Sequence, residues 1–166
     1  MTGSTQPPEI TPDTTAPAEH ERFAEYLHAL AMVSDAEETA LVAAVLGDPD
    51  QVMAQSAVVR HLDARAATLH RDPEFCTWAR RMAAAVDLHP FAAQRLREWS
   101  LISAIALNAA WGPHELVAAS DWSQRKVAES TTSFEALAIL AQSGRTRRVR
   151  NTASARSLRG NSARSE

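Results

Sequence analysis

Cysteine is almost missing from this 166-residue chain. The single thiol, Cys76, can close no internal disulfide and build no cysteine-based zinc site. Glycine is scarce at five residues and aromatics reach only 5%, too little turn and β-favouring material for a sandwich or barrel. Lysine occurs once, as Lys126, against sixteen arginines. No stretch approaches the roughly 18 continuous apolar residues of a membrane span. The N-terminus lacks the basic and apolar pattern of a signal peptide. Glycine-rich phosphate loops, a G-x-S-x-G elbow and G-K-[ST] are all absent. What the chain has is alanine, 33 residues of it, within a hydrophobic share of 45% and a charged share of 22%. That balance suits one folded domain or a short helical array. Alanine and arginine together fit a GC-rich coding genome, so the expected setting is a bacterial cytoplasm.

Charge is distributed unevenly beneath a net value of −3. Residues 1–60 carry ten acids against Arg22 and Arg60, a balance of −8. Residues 61–143 hold nine acids and eight bases, a balance of −1. Residues 144–166 hold seven arginines and Glu166, a balance of +6. An acidic front and a basic tail attract each other, within one molecule or between two.

Residues 1–18 contain four of the eight prolines and almost no large apolar side chains, so they are expected to form a disordered leader. Residues 156–166 are expected to be a frayed basic tail, leaving one all-helical domain over 19–155. The other four prolines read as helix starts. Asp48 and Asp72 are expected N-caps before Pro49 and Pro73, with His89 before Pro90 and Gly112 before Pro113 as weaker versions. Ser34 and Glu37 have capping-box spacing, and Gly47 closes the helix that follows. Val52, Val59, Leu62, Ala66 and Leu69 define one helical face, as do Phe75, Trp78, Met82 and Val86. Phe91, Leu96, Trp99 and Ile102 lead into an apolar run over 101–111 expected to be buried on most sides. No window alternates with period two. The fold class is all-α, with eight or nine helices.

The second half repeats itself. Glu98-Trp99-Ser100 recurs 23 residues later as Asp121-Trp122-Ser123, and Gly144-Arg145-Thr146 stands another 23 on. A short apolar helix precedes each recurrence and a basic one follows it. The run over 121–141 carries Asp121, Trp122, Arg125, Val127-Ala128, Thr131-Thr132 and Leu137-Leu140. In this it resembles the leucine-rich-repeat variant and, more loosely, HEAT-like α-helical repeats, over residues 98–153. The resemblance implies short antiparallel helix pairs stacked as a small array, used in such families for binding macromolecules, and it carries over no catalytic residues. In such a stack no pair folds alone, and Trp99 and Trp122 plug successive seams.

Chemistry has few candidates. His114-Glu115 opens like a zincin helix, but position 118 is alanine, and none of the six histidines forms an i, i+4 pair. Arg80, one turn beyond Cys76, could lower its pKa, though a small buried side chain beside Trp78 is the plainer reading. Glu37 and Glu38 suit the positive end of a helix better than acid–base work. The expectation is therefore a non-enzymatic module without metal or cofactor. Its candidate surface is Arg125, Lys126, Arg145, Arg147, Arg148 and Arg150, suited to a protein partner with an acidic surface. The alternative is nucleic-acid binding through the C-terminal arginine-rich helix. A helix-turn-helix over 123–145 fits poorly, with Thr132 at the turn and Glu135 near the bases.

Overall fold

The computed structural model describes residues 15–162, and among them the chain is all-helical, with nine helices and no strand. They are α1 (Thr15–Met32), α2 (Glu38–Leu46), α3 (Gln51–Leu69), α4 (Phe75–Val86), α5 (Pro90–Ala106), α6 (Pro113–Ala118), α7 (Asp121–Ser130), α8 (Phe134–Ser143) and α9 (Arg147–Ser162). Residues 1–14 of the expected leader lie outside the described residues. Residues 15–18 are the first turn of α1, where Pro17 has no helical acceptor to forgo. At the other end, α9 runs on past 155. Arg156 ties it down by donating from its guanidinium to the Ala128 carbonyl at 2.9 Å.

The helices lie in two layers. In one, α1, α3, α5, α7 and α9 pack in succession; in the other, α2 packs on α4 and α6 on α8. Between α4 and α6 contact is no more than marginal, so the second layer is interrupted there. A single apolar cluster runs through the molecule from Leu30 to Ala153. The alanines explain how closely the layers approach: Ala54, Ala57, Ala66, Ala92, Ala128, Ala136 and Ala153 have no exposed surface at all. Side chains of this size keep packing density high without forcing helices apart.

Helix boundaries follow local hydrogen bonding, and several differ from the expected caps. Pro90 and Pro113 do open their helices after His89 and Gly112, and the Glu115 carboxylate accepts from the Gly112 amide at 2.7 Å. Asp48 does not cap α3. Asp50 takes that role by accepting from the Met53 amide at 3.0 Å, while Asp48 accepts from the Asp50 amide at 2.8 Å. Asp72 likewise sits a step too early, accepting from the Glu74 amide in the turn before α4. The Ser34 hydroxyl donates to the Glu37 carboxylate instead of completing a capping box, and α2 starts at Glu38. The apolar run over 101–111 stops short because Asn108 adopts φ 52. The Ala109 amide reaches the Ala104 carbonyl and the Asn108 amide the Ile105 carbonyl, a Schellman closure that asparagine tolerates.

The predicted faces are right in their centres and wrong at their edges. Phe75, Trp78, Met82 and Val86 are all buried. Val52 and Phe91 are exposed, each standing in the first turn of its helix. Trp99 and Trp122 do meet, ring edge to face at 5.5 Å and 71°. Their places differ, however: Trp99 lies deep within α5 and Trp122 is the second residue of α7. Trp99 is buried and donates its indole N–H to Asp63 at 2.7 Å, whereas Trp122 is half-buried beneath the Arg95 guanidinium, 3.7 Å from its ring centre. The two should therefore differ in energetic weight. In urea denaturation Trp99→Ala is expected to lose about 3–5 kcal/mol, the range for emptying a large buried aromatic site. Trp122→Ala is expected to lose roughly half of that; equal losses would contradict this placement.

Candidate functional site

The six basic candidates come from two neighbouring helices and the turn between α8 and α9, and they do not all face one way. Arg125 pairs with Asp121 one turn earlier on α7, Nε to Oδ2 at 3.2 Å. Lys126 leans toward α5, its Nζ 5.8 Å from the centre of the Trp99 ring. Two others serve the backbone. Arg145 donates to the Ala119 carbonyl at 3.3 Å and Arg150 to the Gly144 carbonyl at 2.7 Å. Those carbonyls end α6 and α8, where no intrahelical donor remains. Arg147 and Arg148 are left pointing outward in the first turn of α9. Among the described residues Arg147 has no ion pair, and the one carboxylate near Arg148 is the exposed Glu129 at 3.9 Å.

Cationic side chains at that end of a helix oppose its dipole, at a local cost of about 0.3–1 kcal/mol each. No acid stands in the first turn of α9 to offset it. Thr146 supplies the capping oxygen instead, accepting from the Val149 amide at 3.3 Å while its hydroxyl donates to Asp121 at 3.2 Å. Thus Thr146 and Asp121 draw the start of α9 close to Arg125. None of the ion pairs among the described residues joins an acid of residues 15–60 to an arginine of α9. The helix-turn-helix alternative loses ground on similar terms. The exposed positions of α8 include Phe134, Glu135, Ala138 and Gln142, with no cation to meet phosphate.

Other polar groups that the sequence did not single out are among the best buried. Glu38, read as a helix-start acid, is 1% exposed. Its carboxylate accepts from His61 Nε2 at 2.7 Å, Arg65 Nε at 3.2 Å and Trp78 Nε1 at 3.1 Å. Arg65 also bonds Asp35 at 2.6 Å. Burial pushes the Glu38 carboxyl up, but the hydrogen bonds from His61 and Trp78 and the Arg65 charge outweigh it and hold it below its ordinary value of 4.5. A cleft of about 360 Å³ lies over this cluster, with Trp78 and Leu69 among its lining and Asp35, Glu74, Arg65 and Arg81 of mixed charge around it. Gln124 is wholly buried. Its amide donates to the Leu116 and Val117 carbonyls at 2.9 and 3.0 Å and its oxygen accepts from the Arg145 amide at 2.8 Å. Cys76, expected to be buried, is exposed on α4, because Phe75 and Trp78 take the inward positions on either side.

Among the described residues no group of histidine, cysteine, aspartate and glutamate is placed to hold a metal ion. No helix there is long and apolar enough to cross a membrane. No family model, no curated protein and no solved structure matches this chain.

The Glu38 cluster generates a pH prediction with a definite sign. A carboxyl whose folded pKa is depressed adds stability that is complete above its unfolded value and is lost as pH falls through the folded one. Glu38→Gln should therefore destabilise the protein by about 3 kcal/mol at pH 7, since it leaves Arg65 and His61 facing a neutral amide. The gap from wild type should hold down to about pH 4.5 and narrow below it. Urea midpoints measured from pH 7 to pH 3 check this; a gap that widens in acid would refute it.

Proposed function

We propose that this chain is a non-enzymatic interaction module, a short stacked-helix array of the helical-repeat kind, that holds a protein partner by an acidic surface in a bacterial cytoplasm. The contact surface is the start of α9, where Arg147 and Arg148 project beside Arg125. The observation carrying this reading is that these two arginines stand against the dipole of α9 with no acid in its first turn, Arg147 in no ion pair among the described residues and Arg148 reaching only the exposed Glu129 at 3.9 Å. Arg145 and Arg150, by contrast, have backbone carbonyls to cap and need no partner to account for them. The succession of α5, α7 and α9 in one layer, with α6 and α8 in the other, supports the helical-repeat reading of residues 98–153. Neutralising charge on the partner would complete what the helix end lacks, with specificity coming from the apolar and polar surroundings of the arginines.

The second reading, nucleic-acid binding by α9, is favoured by one observation, the density of arginine from 145 to 150. No aromatic side chain is interleaved there to stack on single-stranded bases.

Arg147→Glu with Arg148→Glu separates surface function from folding. The double variant should keep or slightly raise its melting temperature, because it replaces cations with acids at a positive helix end. In affinity capture read by mass spectrometry it should lose the partner that wild type retains. Capture of the same partner by both would refute the surface. For the second reading the probe is a defined DNA duplex. An affinity falling steeply with salt in wild type, and abolished in the double variant, would replace the acidic protein by nucleic acid.

A further inference from the structure

A groove of about 430 Å³ runs between α4 and α5 on the side where the second helix layer is interrupted. Phe75, Leu96 and Ser103 form its buried floor. Its sides carry Cys76, Ala83 and Ala104, side chains too small to fill it. Ala109 and Ala110, turned there by the Schellman closure at Asn108, shut one end. From residue 75 to 83 on α4 and from 96 to 107 on α5 the groove spans about 12–17 Å, or two to three turns of an incoming helix.

Three features say what fits. The walls are helices whose backbone groups are already paired internally, so the groove offers no edge for an added strand; an occupant must satisfy its own backbone, as a helix does. The Ser103 hydroxyl is buried in the groove floor and has no hydrogen-bond partner among the described residues, not even the carbonyl one turn back that serines in helices commonly use. A buried polar hydroxyl left unmatched is costly, and rotation of this side chain toward the groove would let a carbonyl of a closely seated helix match it. Finally, exposed Arg80 and Arg97 rise from opposite walls, neither is in an ion pair among the described residues, and no carboxylate lines the groove.

We infer that this groove docks one amphipathic helix of a partner protein, small and apolar on its buried face and acidic on both flanks. The helix takes the place in the second layer left open between α4 and α6, its backbone close against the alanines, its flanking carboxylates on Arg80 and Arg97. This site is separate from the start of α9 and does not depend on the role proposed there.

Cys76 is a built-in reporter, since it lines the groove and is the only thiol in the chain. The probe is a stapled helical peptide with alanine and leucine on one face and glutamate on both flanks; the control is the same peptide with lysine for glutamate. At saturation the glutamate peptide should slow modification of Cys76 by dithionitrobenzoate at least tenfold, and the lysine peptide by less than twofold. Ala83→Trp, at an exposed groove position, should weaken binding of the glutamate peptide at least tenfold with the melting temperature kept. Arg80→Glu with Arg97→Glu lies wholly on the surface and should invert the preference between the two peptides. Failure of the glutamate peptide to protect Cys76 would overturn the inference. So would equal protection by both peptides. Protection that grows with protein concentration alone, accompanied by a dimer in sedimentation, would assign the groove to a second copy of this chain and likewise overturn it.

Discussion

A carboxylate buried to 1% exposure, that of Glu38, needs donors, and the front of the molecule is arranged around that need. His61 and Arg65 reach it from α3 and Trp78 from α4, while Glu38 itself opens α2 at the positive end of that helix. Three helices are thereby held in one mutual rotation, for slipping any of them by a turn would leave a buried charge with too few donors. The net energy of such a cluster is small, since desolvation offsets much of the attraction. Its effect is to discriminate against other packings of alanine-rich helices, whose smooth apolar faces specify little by themselves. Nearby, Asp48 accepts from the Tyr26 hydroxyl at 2.7 Å and lies 3.1 Å from Arg22. Its carboxyl is held below the usual range, chiefly by the tyrosine bond. Two of the acids that give residues 1–60 their negative balance, Glu38 and Asp48, are therefore internal wiring and not part of an outward field.

The rear half solves a different problem with different groups. The six-residue α6 and the ten-residue α7 and α8 have a high proportion of terminal carbonyls, because each helix end leaves four without intrahelical donors. Gln124, Arg145, Arg150 and Arg156 answer for several of them, at Leu116, Val117, Ala119, Gly144 and Ala128. Arginine suits this work, since a planar fork on a long stem can leave its own helix and cap a neighbour's. Lysine would bring a more strongly hydrated charge. The arginine density of the tail thus has a structural outlet, and among the described residues Arg147, Arg148 and Arg159 are left to face outward.

Much of this fold was legible in the amino-acid sequence, and the limits have physical causes. Phe75, Trp78, Met82 and Val86 were found because a fully packed helix shows its period in its apolar residues. Pro90 and Pro113 were found because proline at a first helical position has one meaning. Val52 and Phe91 misled because periodicity identifies a face without saying how much of its first turn the fold covers. Asn108 was the missed stop signal: asparagine after an apolar run is a helix closer as glycine is, though less often. Glu38 could not be found at all. An acid at a helix start is usually placed for the dipole, and its three donors lie 23, 27 and 40 residues away. The arginine cluster was visible as composition, but whether a guanidinium bends back to a carbonyl or projects outward depends on helix ends brought together only by folding. Gln124 shows the same limit, being a polar residue on a polar-looking helix that turns out wholly buried.

The interruption of the second layer connects these points to the surface. Had α5 continued through its apolar run, the chain would have emerged further along and a longer α6 could have covered α4. Asn108 ends α5 early, the crossing over residues 107–112 follows, and α6 is only six residues long and packs on α8. An alanine-lined face is left uncovered between two arginines, beside the turn that this left-handed residue makes. At about 0.15 M salt, charges more than roughly 8 Å apart are largely screened from one another. An acidic helix approaching this face therefore responds to Arg80 and Arg97 and little to the net charge of −3. A chain that is acidic in sum can in this way present a local cationic face, since no carboxylate lines the groove between Arg80 and Arg97.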